Sequence, residues 1–199
     1  MAQYKAIIFD LFNTITLWDS ARMPTLQVDG IRKYTTLGAL EKVLRTEVPE
    51  MRFGDFSAAL TITNLELAQQ RKESMQEVSS QERFRRTLIR AGHQDPTTVV
   101  ENAESLSKAH MGVLKIASSV PPDHKQTLEL LKKKYKIGLL SNFDHGPTAK
   151  AILSRDGVID CFDSVVVSDD HGLRKPHPKI FLDTLDSLAV SPRESLFVG

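Results

Sequence analysis

The chain has 199 residues, 41% of them hydrophobic, and sets 26 basic against 25 acidic side chains for a formal charge of +1. That is enough apolar material for one core, or a compact domain carrying a modest second one, and the balanced charge excludes a global field that would recruit nucleic acid or a membrane surface. The lone cysteine, Cys161, rules out an intrachain disulfide and reads as a small buried side chain rather than a catalytic thiol.

The start, Met1 to Asp10, is too short and too charged for a secretory signal, and no apolar run approaches the ~20 residues that span a bilayer. The chain therefore reads as cytoplasmic, with neither nucleic-acid nor membrane partners.

In chain order, the run Lys5-Ala6-Ile7-Ile8-Phe9, ended by Asp10, predicts a strand buried on both faces, as in a parallel sheet. From Trp18 to about Leu114 the apolar spacing becomes helical. Ile31, Leu37, Leu40 and Leu44 form one set; Phe56, Leu60 and Leu67 form a second. Ser79-x-x-Glu82 is a capping box opening a third helix that Gly92 stops, and a fourth follows Pro96. These four predict a small helical bundle.

After Pro121-Pro122 strands and helices alternate. Asp123 is expected to cap a helix, on which Lys132-Lys133-Lys134 reads as a solvated face. A strand at Ile137–Leu140, a helix from Pro147, a strand at Val165–Val167, a helix over Pro178–Ala189 and a strand at Leu196–Val198 follow. This pattern predicts an α/β fold, a doubly wound parallel sheet interrupted by an all-helical insert. The expected boundaries are 1–16 and 115–199 for the α/β core and 17–114 for the helical cap.

Functional groups of a parallel sheet gather where strands end at their carboxyl edge. Here those ends carry Asp10-Leu11-Phe12-Asn13-Thr14, then Ser141-Asn142, then Ser168-Asp169-Asp170 with Lys175-Pro176 beyond. Singly, each has a bland reading as turn former, helix cap or loop dipeptide. Jointly, an acid, a hydroxyl beside backbone amides and a lysine can hold an anion, supply a carboxylate nucleophile and neutralise developing charge. The six histidines, His93, His110, His124, His145, His171 and His177, lack metal-ligand spacing and read as surface or loop residues, with His145 and His177 near the cleft. Trp18 is expected to pack where core meets cap.

This set resembles the haloacid dehalogenase superfamily over essentially the whole chain. Motif I is similar to Ile7–Thr14, motif II to Leu139-Leu140-Ser141-Asn142, and motif III to the Lys-Pro-x-Pro-x-x-Phe stretch Lys175–Phe181; the helical insert resembles the family's cap. The resemblance implies that Asp10 attacks the substrate and forms a covalent aspartyl intermediate. It also implies that Thr14 orients the motif I loop, and that Ser141 and Asn142 bind the transferred group near a helix N-terminus. Lys175 would stabilise the charged transition state.

The sequence departs from the family pattern at two places. Family phosphatases carry a second Asp where Phe12 stands, and losing a general acid costs ~10²–10⁴-fold; a halide leaves without a proton, and an aromatic residue here resembles the family's 2-haloacid dehalogenases. Those enzymes, however, have a Tyr in the stretch that ends in Phe181 here, and Ser141-Asn142-Phe143-Asp144 is closer to phosphatase-like relatives. The chain also stops at Gly199, directly before motif IV, and so reads as truncated, with Leu196–Val198 as an exposed edge through which it would self-associate.

Three readings stand. Dehalogenase-like chemistry on a small-molecule substrate, needing no metal, is placed slightly ahead, with Phe12 and Asn142 contacting substrate. A phosphatase would use Mg²⁺ held by Asp10 and the Phe12 carbonyl. A catalytically incomplete version of the fold is the third.

Overall fold

The computed structural model describes residues 4–28 and 30–199. Its elements run β1 (Ala6–Phe9), β2 (Leu17–Trp18), β3 (Thr25–Val28) and β4 (Ile31–Tyr34), then helices α1 (Leu37–Glu47), α2 (Phe53–Ser74), α3 (Ser80–Arg90) and α4 (Thr98–Ala117). The second half runs β5 (Ser118–Ser119), α5 (Pro122–Lys132), β6 (Lys136–Ser141), α6 (Gly146–Arg155), β7 (Ser164–Val167), α7 (Ser168–His171), α8 (Pro178–Ser187) and β8 (Ser195–Val198). The chain divides into two compact units. The first holds Met1–Trp18, Met75–Glu77 and Ser118–Gly199; the second holds Asp19–Ser74 and Val78–Ala117.

The first unit is built on a parallel sheet in the order β7-β6-β1-β8. Successive strand residues point to opposite faces, which is why the strands read as unbroken apolar runs. Ile7, Ile137 and Leu139 enter one core with Leu128 of α5 and Ala149 and Leu153 of α6. Ala6, Ile8 and Leu140 enter the other with Ile180 and Leu185 of α8 and Leu188 just beyond it. Gly138 lets that layer close: a Cβ there would stand 2.9 Å from Leu188 Cδ1. Helices on both faces of a parallel sheet bear out the expected α/β class. Cys161 is buried, and burial pushes its thiol pKa up. Strand β8 forms one edge of the sheet, with Leu196, Phe197 and Val198 exposed.

The second unit packs α1 to α4 around Leu40, Leu44, Phe56, Leu60, Phe84, Leu88, Val99 and Leu106. Their three- and four-residue spacing gives each helix one buried stripe. Phe56 and Phe84 have no exposed surface, so truncating either to Ala is expected to cost ~3–5 kcal/mol. Ser79 caps α3 by accepting from Glu82 N at 3.2 Å. The reciprocal arm of the capping box is absent. Glu82 instead pairs with Arg85 (2.6 Å) and Arg86 (2.8 Å), and the Arg85 hydrogen bond first, then Arg86, holds its carboxyl at about 2.

Three expectations need correction. Ile31 does not belong to the first helix: it opens β4, which pairs antiparallel with β3. The overlooked signal is Asp29-Gly30, a two-residue hairpin turn sequence; Asp29 itself lies outside the described residues, while Gly30 takes φ +73°. Asp123 sits in the first turn of α5, whose cap is Pro121. The helical unit starts at Asp19 rather than residue 17 and runs to Ala117 rather than 114, and Met75–Glu77 falls out of it into the α/β unit.

Candidate active site

Asp10 is the first residue after β1, and its N–H continues the sheet by donating to Val198 O at 2.9 Å. The carboxyl end of β8 therefore lies against the Asp10 main chain. Gly199 permits this approach, since a Cβ there would fall 2.8 Å from Asp10 Cβ. Asp10 Oδ1 accepts from Leu11 N at 2.7 Å and meets Lys175 Nζ at 3.0 Å.

The loop after Asp10 is wound around one acceptor. Leu11 O takes the N–H groups of Ile15 (2.9 Å) and Thr16 (2.8 Å), the longer N–H of Thr14 (3.4 Å) and the Thr16 hydroxyl (3.3 Å). The loop-organising side chain is thus Thr16, buried, rather than Thr14, which contributes only its main chain. Asn13 takes φ +60° in this turn, a left-handed conformation that Asn tolerates better than most residues.

Lys175 is held from several sides. Its ammonium donates to Leu140 O at 2.7 Å, faces Asp10, and lies 5.0 Å from the Phe197 ring centroid. Its main chain is clasped by one side chain: Asn142 Oδ1 accepts from Lys175 N at 2.7 Å and Asn142 Nδ2 donates to Lys175 O at 2.9 Å. The Asn142 side chain is therefore engaged with the Lys175 loop. Phe197, which packs edge-on to Phe181 at 5.7 Å, was legible in sequence only as a strand residue.

Ser141 lies between two residues that touch Lys175, and its side-chain oxygen is buried without a hydrogen-bond partner among the described residues. A buried hydroxyl in that condition carries a desolvation cost of ~1–3 kcal/mol, the kind of unmet demand a bound polar group would satisfy. The expected helix N-terminus beside it is α6, whose donors are already taken. Gly146 N donates to Asp169 Oδ2 at 2.9 Å, and His145 Nδ1 accepts from Thr148 N at 3.3 Å. Burial pushes the Asp169 carboxyl pKa up, against the opposing Gly146 hydrogen bond.

Phe12 packs edge-on against Phe143 at 4.8 Å and Trp18 at 6.5 Å. With Asn13 these rings line a recess of about 260 Å³ in the α/β unit. Trp18 is thus a half-exposed wall of that recess, paired through β2 with Ser118. The larger concavity, about 660 Å³, lies in the helical unit around Glu50, Asp55 and His93. There Asp55 is paired with Arg52 at 2.7 Å, and the His93 ring is bonded to Thr98 and Asn102. The Arg52–Asp55 pair is an i,i+3 pair of exposed side chains, 84% and 50% open to solvent, whereas Lys175 beside Asp10 is 13% exposed; size alone does not mark the site.

Of the histidines read as surface or loop residues, His110 is corrected, since it lies within α4 with Nδ1 buried; His145 and His177 stand in loops as the caps of α6 and α8, and His171 pairs with Asp183 at 2.8 Å. A Mg²⁺ ion would draw on the Asp10 carboxylate and the Phe12 carbonyl. Among the described residues no three or more His, Cys, Asp or Glu side chains gather as a metal group; Mg²⁺ commonly takes one or two carboxylates and completes its shell with water, which Asp10 and the Phe12 carbonyl could begin.

The haloacid dehalogenase-like hydrolase family matches residues 4–199. Glyceraldehyde 3-phosphate phosphatase of Pyrococcus furiosus is 36% identical over 80 residues, 40% of this chain and 33% of that protein. The Methanopyrus kandleri protein of the same name is 26% identical over 200 residues, covering 98% and 75%. (S)-2-haloacid dehalogenase 4A of Burkholderia cepacia is 33% identical over 101 residues, covering 50% and 43%. The first of these matches spans about a third of its relative's length. Among solved structures, 2-haloacid dehalogenase from Pseudomonas syringae pv. Tomato DC3000 superposes with a TM-score of 0.70 at 22% identity, over 99% of this chain and 78% of that one. No helix among the described residues is long and apolar enough to cross a membrane. A family match over residues 4–199, nearly the full length, makes this chain a member of the haloacid dehalogenase-like hydrolase family.

Proposed function

We propose that the protein displaces halide from a small 2-haloacid, using the Asp10 carboxylate as nucleophile. The observation that carries this reading is Phe12. The position two residues after the nucleophile is filled by an aromatic ring packed on Phe143 and Trp18, which can neither give nor take a proton. A halide leaves with the electron pair of its carbon bond and needs no general acid, whereas an alkoxide does.

In this reading an Asp10 oxygen bonds to C2 as the carbon–halogen bond breaks, leaving an aspartyl ester. Water then attacks the Asp10 carboxyl carbon, and the 2-hydroxyacid departs with one water proton. The second proton passes to solvent, and the carboxylate is restored. Lys175, 3.0 Å from Asp10, offsets the negative charge that builds on the carboxyl group during the second step. Ser141, with its unpartnered hydroxyl, supplies a donor to the substrate's own carboxylate, and the recess of Phe12, Trp18 and Phe143 takes its apolar substituent. The match to a 2-haloacid dehalogenase supports the assignment.

The second reading, a phosphatase acting on a small phosphomonoester, is favoured by the matches to phosphatases. The family holds both Mg²⁺-dependent phosphatases and cofactor-free dehalogenases, which makes metal dependence the discriminating test. Chloride release from 2-chloropropionate that is unchanged by EDTA is the expected result. Phosphate release from glyceraldehyde 3-phosphate, abolished by EDTA and without chloride release from the haloacid, would replace the first reading by the second.

A further inference from the structure

Three residues that follow α2, Met75–Glu77, leave the helical unit and join the α/β unit. The departure is abrupt. Met75 takes φ +53°, a left-handed conformation that side-chain-bearing residues adopt only at a cost. The segment then runs antiparallel to the loop before Lys175: Gln76 bridges Leu173, Glu77 N donates to Gly172 O at 2.9 Å, and Arg174 N donates to Met75 O at 2.8 Å.

This pairing delivers a carboxylate into the protein interior. The Glu77 side chain is 1% exposed and its Oε2 accepts from two groups at once, the guanidinium of Arg174 and the hydroxyl of Ser168 at 2.5 Å. Each partner leads to the active site by one further step. Arg174 is the residue before Lys175. Ser168 Oγ, which meets Glu77 Oε2 at 2.5 Å and Phe143 O at the longer 3.2 Å, accepts from Phe143 N at 2.9 Å, and Phe143 follows Ser141-Asn142. Asn142 in turn clasps the Lys175 main chain from the other side. One buried carboxylate thus ties together the loop after β6 and the loop that carries the lysine.

We propose that Glu77 is a positioning residue for catalysis: through Arg174 and Ser168 it fixes where Lys175 stands relative to Asp10. Burying an ionised carboxylate is costly unless it is paired and hydrogen-bonded, and two exposed groups would close the same loop at less expense. Misplacing a catalytic group by about 1 Å can lower turnover ~10²-fold, which gives a remote brace of this kind a direct route into the rate. The proposal rests on the Lys175–Asp10 pair and not on the choice of substrate.

The test reads Lys175 itself. Brief acetylation of the folded full chain with acetic anhydride, quantified lysine by lysine by mass spectrometry, should find Lys175 slow, since it is 13% exposed and engaged by Asp10 and Leu140 O. Lys136, whose ammonium donates to Leu188 O at 2.7 Å, serves as an internal reference away from the brace. In Glu77→Ala the Lys175 rate should rise by roughly tenfold while the Lys136 rate stays within about twofold. Where Glu77→Ala fails to fold, Glu77→Gln, which keeps the volume and one acceptor, carries the measurement with a smaller rise. Turnover of 2-chloropropionate and of p-nitrophenyl phosphate, whichever is accepted, should lose kcat by roughly ten- to a hundredfold with KM nearly unchanged. A Lys175 rate equal to the parent's, or one that rises only in step with Lys136, overturns the proposal. Absence of chloride release in the parent would count against the dehalogenase reading alone, because the labelling ratio does not depend on turnover.

Discussion

Each unit buries a polar group that finds no hydrogen-bond partner among the described residues: Ser141 Oγ in the α/β unit and His110 Nδ1 in the helical unit. Their surroundings differ. Ser141 ends a strand, flanked by Leu140 and Asn142, both bonded to Lys175, which faces Asp10. His110 lies mid-helix on α4, edge-on to Phe84 at 5.6 Å, with Arg83 as the charge that acts on it. An orphaned polar atom is therefore not a mark of chemistry in itself. It becomes one where strand ends bring an acid and a cation to the same place; inside a helical bundle the same unmet bond reads as a feature of stability.

The comparison breaks first at Asp10. Asp10→Asn keeps the shape but removes the charge of the proposed nucleophile, so turnover should fall by more than ~10³-fold with the circular dichroism spectrum unchanged. Lys175→Met should follow at ~10²–10³-fold, the scale seen when a charge-stabilising donor is removed. Activity within a few-fold of the parent in either variant would move the catalytic centre elsewhere.

Phe12→Asp restores a proton donor where the family's phosphatases have one. Hydrolysis of alkyl phosphates should rise by up to ~10²-fold, and that of activated aryl phosphates much less, because the need for a general acid scales with leaving-group basicity. Equal effects on both substrates would mean that residue 12 does not face the leaving group.

Asn142→Ala tests whether that side chain serves substrate or loop. It should lose two hydrogen bonds to the Lys175 main chain, worth ~1–3 kcal/mol together, and about tenfold in kcat through a displaced lysine. The unfolding midpoint in urea and the KM decide between the roles. A raised KM with unchanged stability would return Asn142 to the substrate.

How much of this was legible beforehand follows from the same contrast. The strands of the sheet announce themselves because both faces are buried, which leaves unbroken apolar runs such as Ala6–Phe9 and Ile137–Leu140. The residues at their carboxyl ends follow from topology, so Asp10, Ser141 and Lys175 could be singled out as candidates, and the structure sets Lys175 beside Asp10 and the strand end that carries Ser141. Side-chain partners are another matter, because they depend on contacts between distant segments. The role of Asn142 requires a partner 33 residues away, and that of Glu77 partners 91 and 97 residues away. Thr14 and Thr16 are equally plausible by type, and only the wrap around Leu11 O separates them. The β3–β4 hairpin was hidden because Ile31 was grouped with the helical set Leu37, Leu40 and Leu44, although the Asp-Gly sequence just before it was the better guide.

The smallest expected effect belongs to His110, and its sign can be worked out. Burial first, and the charge of Arg83 second, push its pKa down from 6.5 to about 3. Between these values the unfolded chain binds a proton that the folded His110 refuses, so the unfolded state carries more protons and stability rises with pH. The contribution is complete above pH 6.5 and drains away as the pH falls through that window toward 3. One proton limits the slope to ~1.4 kcal/mol per pH unit, and residual solvent contact at the ring will make it smaller. Hydrogen exchange of the α3 and α4 amides, measured from pH 7 to 4.5 and corrected for intrinsic rates, should show protection falling with pH in the parent chain. In His110→Gln, which cannot titrate, that loss should be visibly shallower, while the amides of β1 and β6 should behave alike in both proteins. Identical slopes at α4 in the two chains would mean that His110 finds a partner or water when charged, and the contrast with Ser141 would then rest on position alone.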